Sequence, residues 1–67
     1  MYNVEGFDLL TDEQKETLIR VNELHINSVT AHPEQYIPTK VWVEDNIVCV
    51  RLLNGKWFHY KADGTWY

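Results

Sequence analysis

Hydrophobic side chains recur at two different spacings along this chain. Between residues 11 and 31 they return every three or four positions, which is typical of an amphipathic helix. From residue 39 onward they form dense runs broken by Asp-Asn, Asn-Gly and Asp-Gly pairs, which are typical of short strands joined by tight turns. The pattern predicts an α+β fold in which one N-terminal helix packs on a three- to four-stranded antiparallel meander. Residues 1–67 are expected to form a single domain, divided into an arm (1–10), a helix (11–31) and a sheet (39–67).

The predicted helix has recognisable ends. Thr11 is a suitable N-cap, and Gln14 stands where a capping box requires it. Two acidic residues follow Thr11 in the first turn, where the helix dipole favours negative charge. Pro33 disfavours helical geometry at the residue before it, so the helix is expected to end near Ala31.

The predicted helix has an apolar side and a charged side. The apolar side consists of Leu18, Ile19, Val21, Leu24, Ile26 and Val29, and the opposite side of Asp12, Glu16, Arg20, Glu23 and Asn27. Glu16 and Arg20 are four residues apart and are expected to form an ion pair. His25 falls on the apolar side, where a histidine is usually a hydrogen-bonded core residue.

Three strands and a short fourth segment are predicted after the helix. The expected bounds are Thr39–Glu44, Ile47–Leu53 and Lys56–Lys61, with a stub at Thr65–Tyr67. The short connections between them favour antiparallel pairing. The arm before Gly6 is compatible with either an edge strand or a tether.

The register of the second hairpin depends on the length of its loop. A two-residue Asn54-Gly55 loop would place His59 and Lys61 beside valines that should face the helix. A three-residue loop that begins at Leu53, with glycine in the left-handed position, avoids this conflict and is the predicted arrangement. The predicted pairs are Val41–Val50, Trp42–Cys49 and Val43–Val48 in the first hairpin, and Val48–Tyr60, Cys49–His59, Val50–Phe58 and Arg51–Trp57 in the second.

This register divides the sheet into an inner face, on which the helix packs, and an outer face. The inner face consists of Val41, Val43, Val48, Val50, Leu52, Phe58 and Tyr60. The outer face consists of Lys40, Trp42, Glu44, Ile47, Cys49, Arg51, Leu53, Trp57, His59 and Lys61. Its two tryptophans and two aliphatic residues would present on the order of 500 Å² of apolar surface, which is enough to indicate a binding site.

One helix covers one face of the sheet. The outer face is therefore either covered by another element or partner, or exposed to water. The arm could cover it through Tyr2, Val4, Phe7 and Leu9, a second copy of the chain could dimerise there, or a foreign partner could bind. Trp66 is ambiguous. A three-residue Ala62–Gly64 loop places it beside Tyr60 on the inner face, and a two-residue Asp63-Gly64 loop places it on the outer face.

Composition and charge narrow the classes of function. The net charge of −4 is concentrated before Gln35, with seven acidic and two basic side chains against three and four afterwards. Such an acidic first half disfavours direct binding to nucleic acid. The single cysteine indicates a reducing compartment, and no signal sequence or run of about 20 apolar residues is visible. A cytoplasmic protein without membrane association is expected.

The candidate chemistry is sparse. Cys49 and His59 are predicted cross-strand neighbours, but no further ligand stands at a recognised metal-binding spacing. The carboxylates fall on the solvated side of the helix or in turns, and no phosphate loop or hydrolase motif is present. We therefore predict no catalytic residues, metal or cofactor.

The segment NGKWFHYKADGTW, residues 54–66, resembles one hairpin of the choline-binding repeats of bacterial surface proteins. The likeness rests on the glycine turn, the tryptophan followed by aromatic residues, and the Asp-Gly turn. In that family, aromatic residues from successive repeats together enclose the choline ammonium group. This sequence contains one such segment, so we assign no family from it.

The sequence predicts a small, non-enzymatic module that binds a protein partner through the outer face. The expected contact residues are Trp42, Arg51, Trp57, His59 and Lys61. A small acidic chain of this kind suits an inhibitor encoded by a phage or mobile element. The alternative is a nucleic-acid mimic that inhibits a DNA- or RNA-acting enzyme through the exposed helix residues Asp12, Glu13, Glu16 and Glu23.

Overall fold

One helix packs against a three-stranded antiparallel sheet, which confirms the predicted α+β class. The computed structural model describes residues 4–29 and 31–67. A short 3-10 helix, Phe7–Leu9, precedes helix α1, Asp12–Ser28, and a second 3-10 helix, Pro33–Tyr36, leads into the sheet. The strands are β1 (Pro38–Glu44), β2 (Ile47–Leu52) and β3 (Trp57–Tyr60), in that spatial order. Within the described ranges, no helix combines the length and apolarity needed to cross a membrane.

Helix α1 begins at the predicted cap and ends earlier than predicted. The Thr11 hydroxyl accepts the Gln14 N–H at 3.1 Å, and the Gln14 side chain accepts the Thr11 N–H at 2.9 Å. The helix stops at Ser28, because Val29 is already extended (φ −95°, ψ 147°). The prediction of an end near Ala31 was wrong because Pro33 constrains only its immediate neighbour. Residues such as Ser28, whose hydroxyl donates to the His25 carbonyl, favour helix ends over helix interiors.

The buried side of α1 is narrower and more polar than predicted. It consists of Thr17, Leu18, Val21, Asn22 and His25. Ile19 and Leu24 were assigned to the apolar side but are 37% and 46% exposed. The cause is a polar network in which Asn22 and His25 face the sheet and contact the Tyr60 hydroxyl.

The sheet has the predicted register. Both hairpins show every predicted pair, including Trp42 with Cys49 and Cys49 with His59. Asp45 and Asn46 both have positive φ, 51° and 63°, as a two-residue type I′ turn requires. The second loop has three residues, closed by a bond of 2.8 Å from the Leu52 N–H to the Lys56 carbonyl.

The last residues pair with β3 through a second three-residue loop. His59 and Tyr67 exchange backbone hydrogen bonds of 2.8 and 3.2 Å, and the Lys61 N–H donates to the Thr65 carbonyl. Trp66 bridges Tyr60 and therefore lies on the inner face. Of the two arrangements open to Trp66, the structure has the three-residue loop.

The arm pairs with the edge of β1 and contributes to the inner core. Glu5 donates its N–H to the Thr39 carbonyl at 3.2 Å and accepts the Val41 N–H at 2.8 Å. Phe7 is buried in the core, whereas Leu9 is 89% exposed. The proposed cover of the outer face by Phe7 and Leu9 is therefore wrong, and Tyr2 lies outside the described residues.

The core lies between α1, the arm and the inner face. It consists of Phe7, Leu10, Leu18, Val21, Val41, Val48, Val50, Leu52 and Tyr60, with Val4, Tyr36, Phe58 and Trp66 packed around it. The buried Tyr60 hydroxyl accepts a hydrogen bond from Asn22 Nδ2 at 3.0 Å and lies 2.9 Å from His25 Nδ1. Asn22 Nδ2 also donates to the Tyr36 carbonyl at 3.0 Å. His25 is thus a hydrogen-bonded core histidine, as predicted.

The inner core contains an aromatic cage around the His25 ring. Trp66 stacks on it with a centroid distance of 4.8 Å, and Phe58 and Tyr36 meet it edge-on at 4.6 and 5.1 Å. Burial lowers the pKa of His25 below its ordinary value, because a charged imidazole would lose its hydration there. The neutral ring is therefore the form that the core accommodates.

Gly6 and Gly55 make a matched pair for testing how the arm is attached. Both have positive φ, 87° and 88°, but a Cβ on Gly6 would overlap the Val41 carbonyl oxygen, whereas one on Gly55 would meet open space. Gly55→Ala should cost about 1–2 kcal/mol from left-handed strain alone. Gly6→Ala should cost about 1–3 kcal/mol more, because the arm must also move away from β1. Denaturant unfolding measures both, and equal costs would contradict the close contact.

The stability of the fold should depend on pH through His25. Its pKa in the folded chain lies below the ordinary 6.5, so the unfolded chain binds a proton that the folded chain rejects. The free energy of unfolding should be greatest above pH 6.5 and decrease as the pH falls below it. His25→Gln should remove this part of the slope, whereas the exposed His32, changed to Gln, should leave it. Denaturant unfolding over a pH series distinguishes the two, and an unaltered slope in His25→Gln would refute the assignment.

Candidate functional site

Four aromatic rings form a continuous row across the outer face. The Trp42 and Trp57 rings have centroids 5.7 Å apart, and the Trp57 and His59 rings 5.0 Å apart. His59 then stacks on Tyr67 at 4.6 Å with an interplanar angle of 8°. Each ring comes from a strand position with the same parity, so the pleat directs all four to one side. We call these four residues the aromatic row.

The row crosses the central strand because Cys49 is small. Trp42 and His59 flank Cys49 on its two neighbouring strands, and Trp57 lies one rung further along β3. A larger side chain at position 49 would separate the rings of β1 from those of β3. The Trp42 and Trp57 rings of the two neighbouring strands instead have centroids 5.7 Å apart, and Cys49 is 0% exposed although it belongs to the outer face.

The outer face remains open over much of the aromatic row. Trp57 is 47% and Tyr67 59% exposed, whereas Trp42 and His59 are half-buried. All five residues predicted from the sequence as partner contacts (Trp42, Arg51, Trp57, His59 and Lys61) occupy strand or strand-end positions of this face. Whether they contact a partner stays a prediction.

Tyr67 was not predicted as a member of the row, and Leu53 lies elsewhere than predicted. Tyr67 was assigned only to a stub, although the three-residue loop rule applied at Gly55 would have placed it beside His59. Leu53 was assigned to the outer face. It lies in the turn after β2, where its N–H donates to the Ile37 carbonyl at 2.9 Å.

Positive charge surrounds the aromatic row. Lys40, Arg51 and Lys61 are all exposed, and Lys40 is 3.7 Å from Glu5 in an exposed ion pair that contributes little energy. The carboxylate of Glu44 accepts the Trp42 indole N–H at 2.7 Å. A shallow hollow of about 410 Å³ lies among Lys40, Trp42, Glu44 and Arg51.

A carboxylate, a thiol and an imidazole lie close together at the aromatic row, and the imidazole belongs to the row member His59. Ligand atoms of Glu44, Cys49 and His59 all lie within 4.8 Å of one another. The backbone of His59 bonds to Tyr67 and not to Cys49, so this cross-strand pair is of the closely spaced, non-hydrogen-bonded kind. Burial, and next the charge of Glu44, raise the pKa of Cys49 above its ordinary value, so the thiol is protonated at neutral pH.

The alternative acidic site lies on the other side of the molecule. Asp12, Glu13, Glu16 and Glu23 are all exposed on α1. Arg20 donates to the Ala62 carbonyl at 2.9 Å, which fastens α1 to the last turn. Among residues 4–29 and 31–67, Lys40 forms an ion pair with Glu5 and His32 Nδ1 lies 3.4 Å from the Glu34 carboxylate, but the predicted Glu16–Arg20 pair does not form.

Comparison with known proteins adds no family. No protein-family model, curated protein or solved structure matches this chain. In the hairpin that resembles a choline-binding repeat, the aromatic residues divide between the two faces of the sheet. Trp57 belongs to the outer face, whereas Tyr60 and Trp66 pack around His25 in the core.

The raised pKa of Cys49 predicts slow alkylation of the folded chain. The pH–rate profile for iodoacetamide should lie at higher pH than that of the denatured chain, because only the thiolate reacts. Glu44→Gln should move the folded profile back toward lower pH by removing a nearby negative charge. Glu5→Gln, at another exposed glutamate on the sheet edge, should leave it unchanged. Coincident folded and denatured profiles would contradict the assigned environment.

Proposed function

We propose that this protein is a non-enzymatic binding module that contacts a protein partner through the outer face. The observation that supports this most directly is the aromatic row, four neighbouring rings of which Trp57 and Tyr67 are about half exposed or more. Tryptophan, tyrosine and arginine are the residues that most often dominate the energy of protein interfaces. The outer face combines all three.

The arrangement of the core supports the same proposal. The described part of the arm pairs with β1 and inserts Phe7 into the inner core. Helix α1 occupies the inner face. Large aromatic side chains on the outer face therefore contribute little to the core, and their burial against another surface would release apolar area from water.

The charges around the row indicate the chemistry of the partner. Lys40, Arg51 and Lys61 surround it, and the nearby Glu44 carboxylate is already hydrogen-bonded to Trp42. An acidic protein surface with apolar side chains at its centre complements this arrangement. A homodimer through the same face is less favourable, because it would place the positive side chains of both copies in one interface, whereas an acidic partner would not.

The role that best fits such a module is inhibition by occupancy. A chain of 67 residues with one contact face can block a functional surface of its partner without chemistry of its own. We extend the proposal to an intracellular setting, where Cys49 would stay reduced, and to a phage or mobile element as the source of the inhibitor.

Trp57→Ala should weaken partner binding by at least about 2 kcal/mol, roughly 30-fold in Kd, because it removes a central ring from the contact. Leu9→Ala removes a side chain that is 89% exposed and belongs neither to the core nor to the aromatic row, and it should leave Kd unchanged. The assay is affinity capture from host lysate, followed by titration of the captured protein against both variants. Both should unfold like the wild type, because neither side chain belongs to the core.

The same experiment separates the alternatives. Capture that survives Trp57→Ala but is lost in Glu16→Lys/Glu23→Lys, with strong dependence on salt, would overturn the proposal in favour of the nucleic-acid mimic. Capture of nucleic acid, abolished by nuclease, would overturn it in favour of a stacking platform for single strands. A melting temperature that rises with protein concentration and loses this dependence in Trp57→Ala would identify a second copy of the chain as the occupant.

A further inference from the structure

The outer face holds a set of metal-ligating side chains that its role as a contact surface does not use. Glu44 ends β1, Cys49 is central in β2, and His59 lies in β3 opposite Cys49. Their carboxylate oxygen, sulfur and imidazole nitrogen atoms are within 4.8 Å of one another. The three ligands come from three adjacent strands, so the register of the sheet alone brings them together.

We propose that Glu44, Cys49 and His59 form a zinc-binding site with an open fourth position. Thiolate, imidazole and carboxylate are the three ligand types that zinc accepts from proteins, and a mixed set of three with one water is a recognised arrangement. Zinc–ligand bonds of about 2.0–2.3 Å place tetrahedral ligands about 3.4 Å apart. The present separations are at most 4.8 Å, and rotation of the exposed Glu44 and half-buried His59 side chains can close them to that value.

Neighbouring residues already orient two of the ligands. The indole N–H of Trp42 donates to one oxygen of Glu44, which leaves the other oxygen for the metal. The His59 ring stacks on Tyr67, only 8° from parallel, and contacts the Trp57 ring at an angle of 52°. Such contacts to metal ligands reduce the reorganisation that binding requires.

The other histidines do not belong to this set. His25 is enclosed in the inner core, and His32 lies outside the sheet beside Glu34. No metal was predicted from the sequence, because these ligands do not stand at a recognised spacing along the chain. Glu44 is separated from Cys49 by a type I′ turn and from His59 by a whole hairpin, and it becomes a neighbour only when both strands pair.

The test uses the full chain, treated with a chelator and kept reduced, and titrated with Zn²⁺ in a calorimeter. The wild type should bind one equivalent, and Zn²⁺ should raise its melting temperature. Trp42→Phe keeps an aromatic ring at this position but removes the N–H that orients Glu44, and it should weaken binding by about 10–100-fold. Glu44→Gln and Cys49→Ser should weaken it more, whereas His32→Gln should bind like the wild type.

Cobalt supplies a readout that unspecific binding would not reproduce. Co²⁺ at the site should show sulfur-to-metal charge-transfer absorption that is present in His32→Gln and absent in Cys49→Ser. Absence of Zn²⁺ binding to the folded wild type, or equal affinity in wild type and Glu44→Gln, would overturn the proposal. Glu44 is exposed, so its variant should fold normally. The inference does not depend on the proposed protein partner, because every measurement uses the isolated chain.

Discussion

A sheet has two faces, and one helix has the breadth to cover one of them. In this protein α1 and the described part of the arm both pack on the inner face, where the described core is assembled. Among residues 4–29 and 31–67, the aromatic side chains of the outer face therefore pack mainly on one another. The aromatic row is the result, since rings on neighbouring strands shield each other partly from water while their outer surfaces stay exposed. The proposed function follows from this division.

The attachment of the helix depends on Tyr60. Its ring is fully buried between α1 and the sheet, and its hydroxyl is in contact with Asn22 and His25. A buried hydroxyl without partners would cost free energy, so the helix must present polar residues at this point. This requirement rotates α1 away from the orientation that would bury Ile19 and Leu24. It also places His25 among the rings of Phe58, Tyr36 and Trp66.

Cys49 connects the aromatic row with the proposed zinc site. Because its side chain is small, rings of β1 and β3 pack together across β2, and because its side chain is a thiol, the same position can supply a metal ligand. A metal bound at the proposed site would fix the positions of Glu44 and His59. It would thereby also fix the orientation of Trp42, which is hydrogen-bonded to Glu44, and of Tyr67, which is stacked on His59.

The sequence by itself determined the class of the fold, the start of α1 and the register of both hairpins. These features depend on local chemistry, such as the capping box at Thr11 and the positive φ of Asn46 and Gly55, and on the two-residue period of a strand. Period and loop length together also placed Trp42, Trp57 and His59 on the outer face.

Only the tertiary structure decided which side of α1 is buried, where the arm packs and which third ligand joins Cys49 and His59. Helical periodicity groups apolar residues but does not show that a distant Tyr60 hydroxyl requires Asn22 and His25 opposite it. Backbone hydrogen bonds between Glu5 and β1 set the path of the described part of the arm. The pattern of side chains along the sequence does not predict such bonds. Glu44 lies close to His59 because the three strands pair side by side. The number of residues between Glu44 and His59 in the sequence does not indicate this proximity.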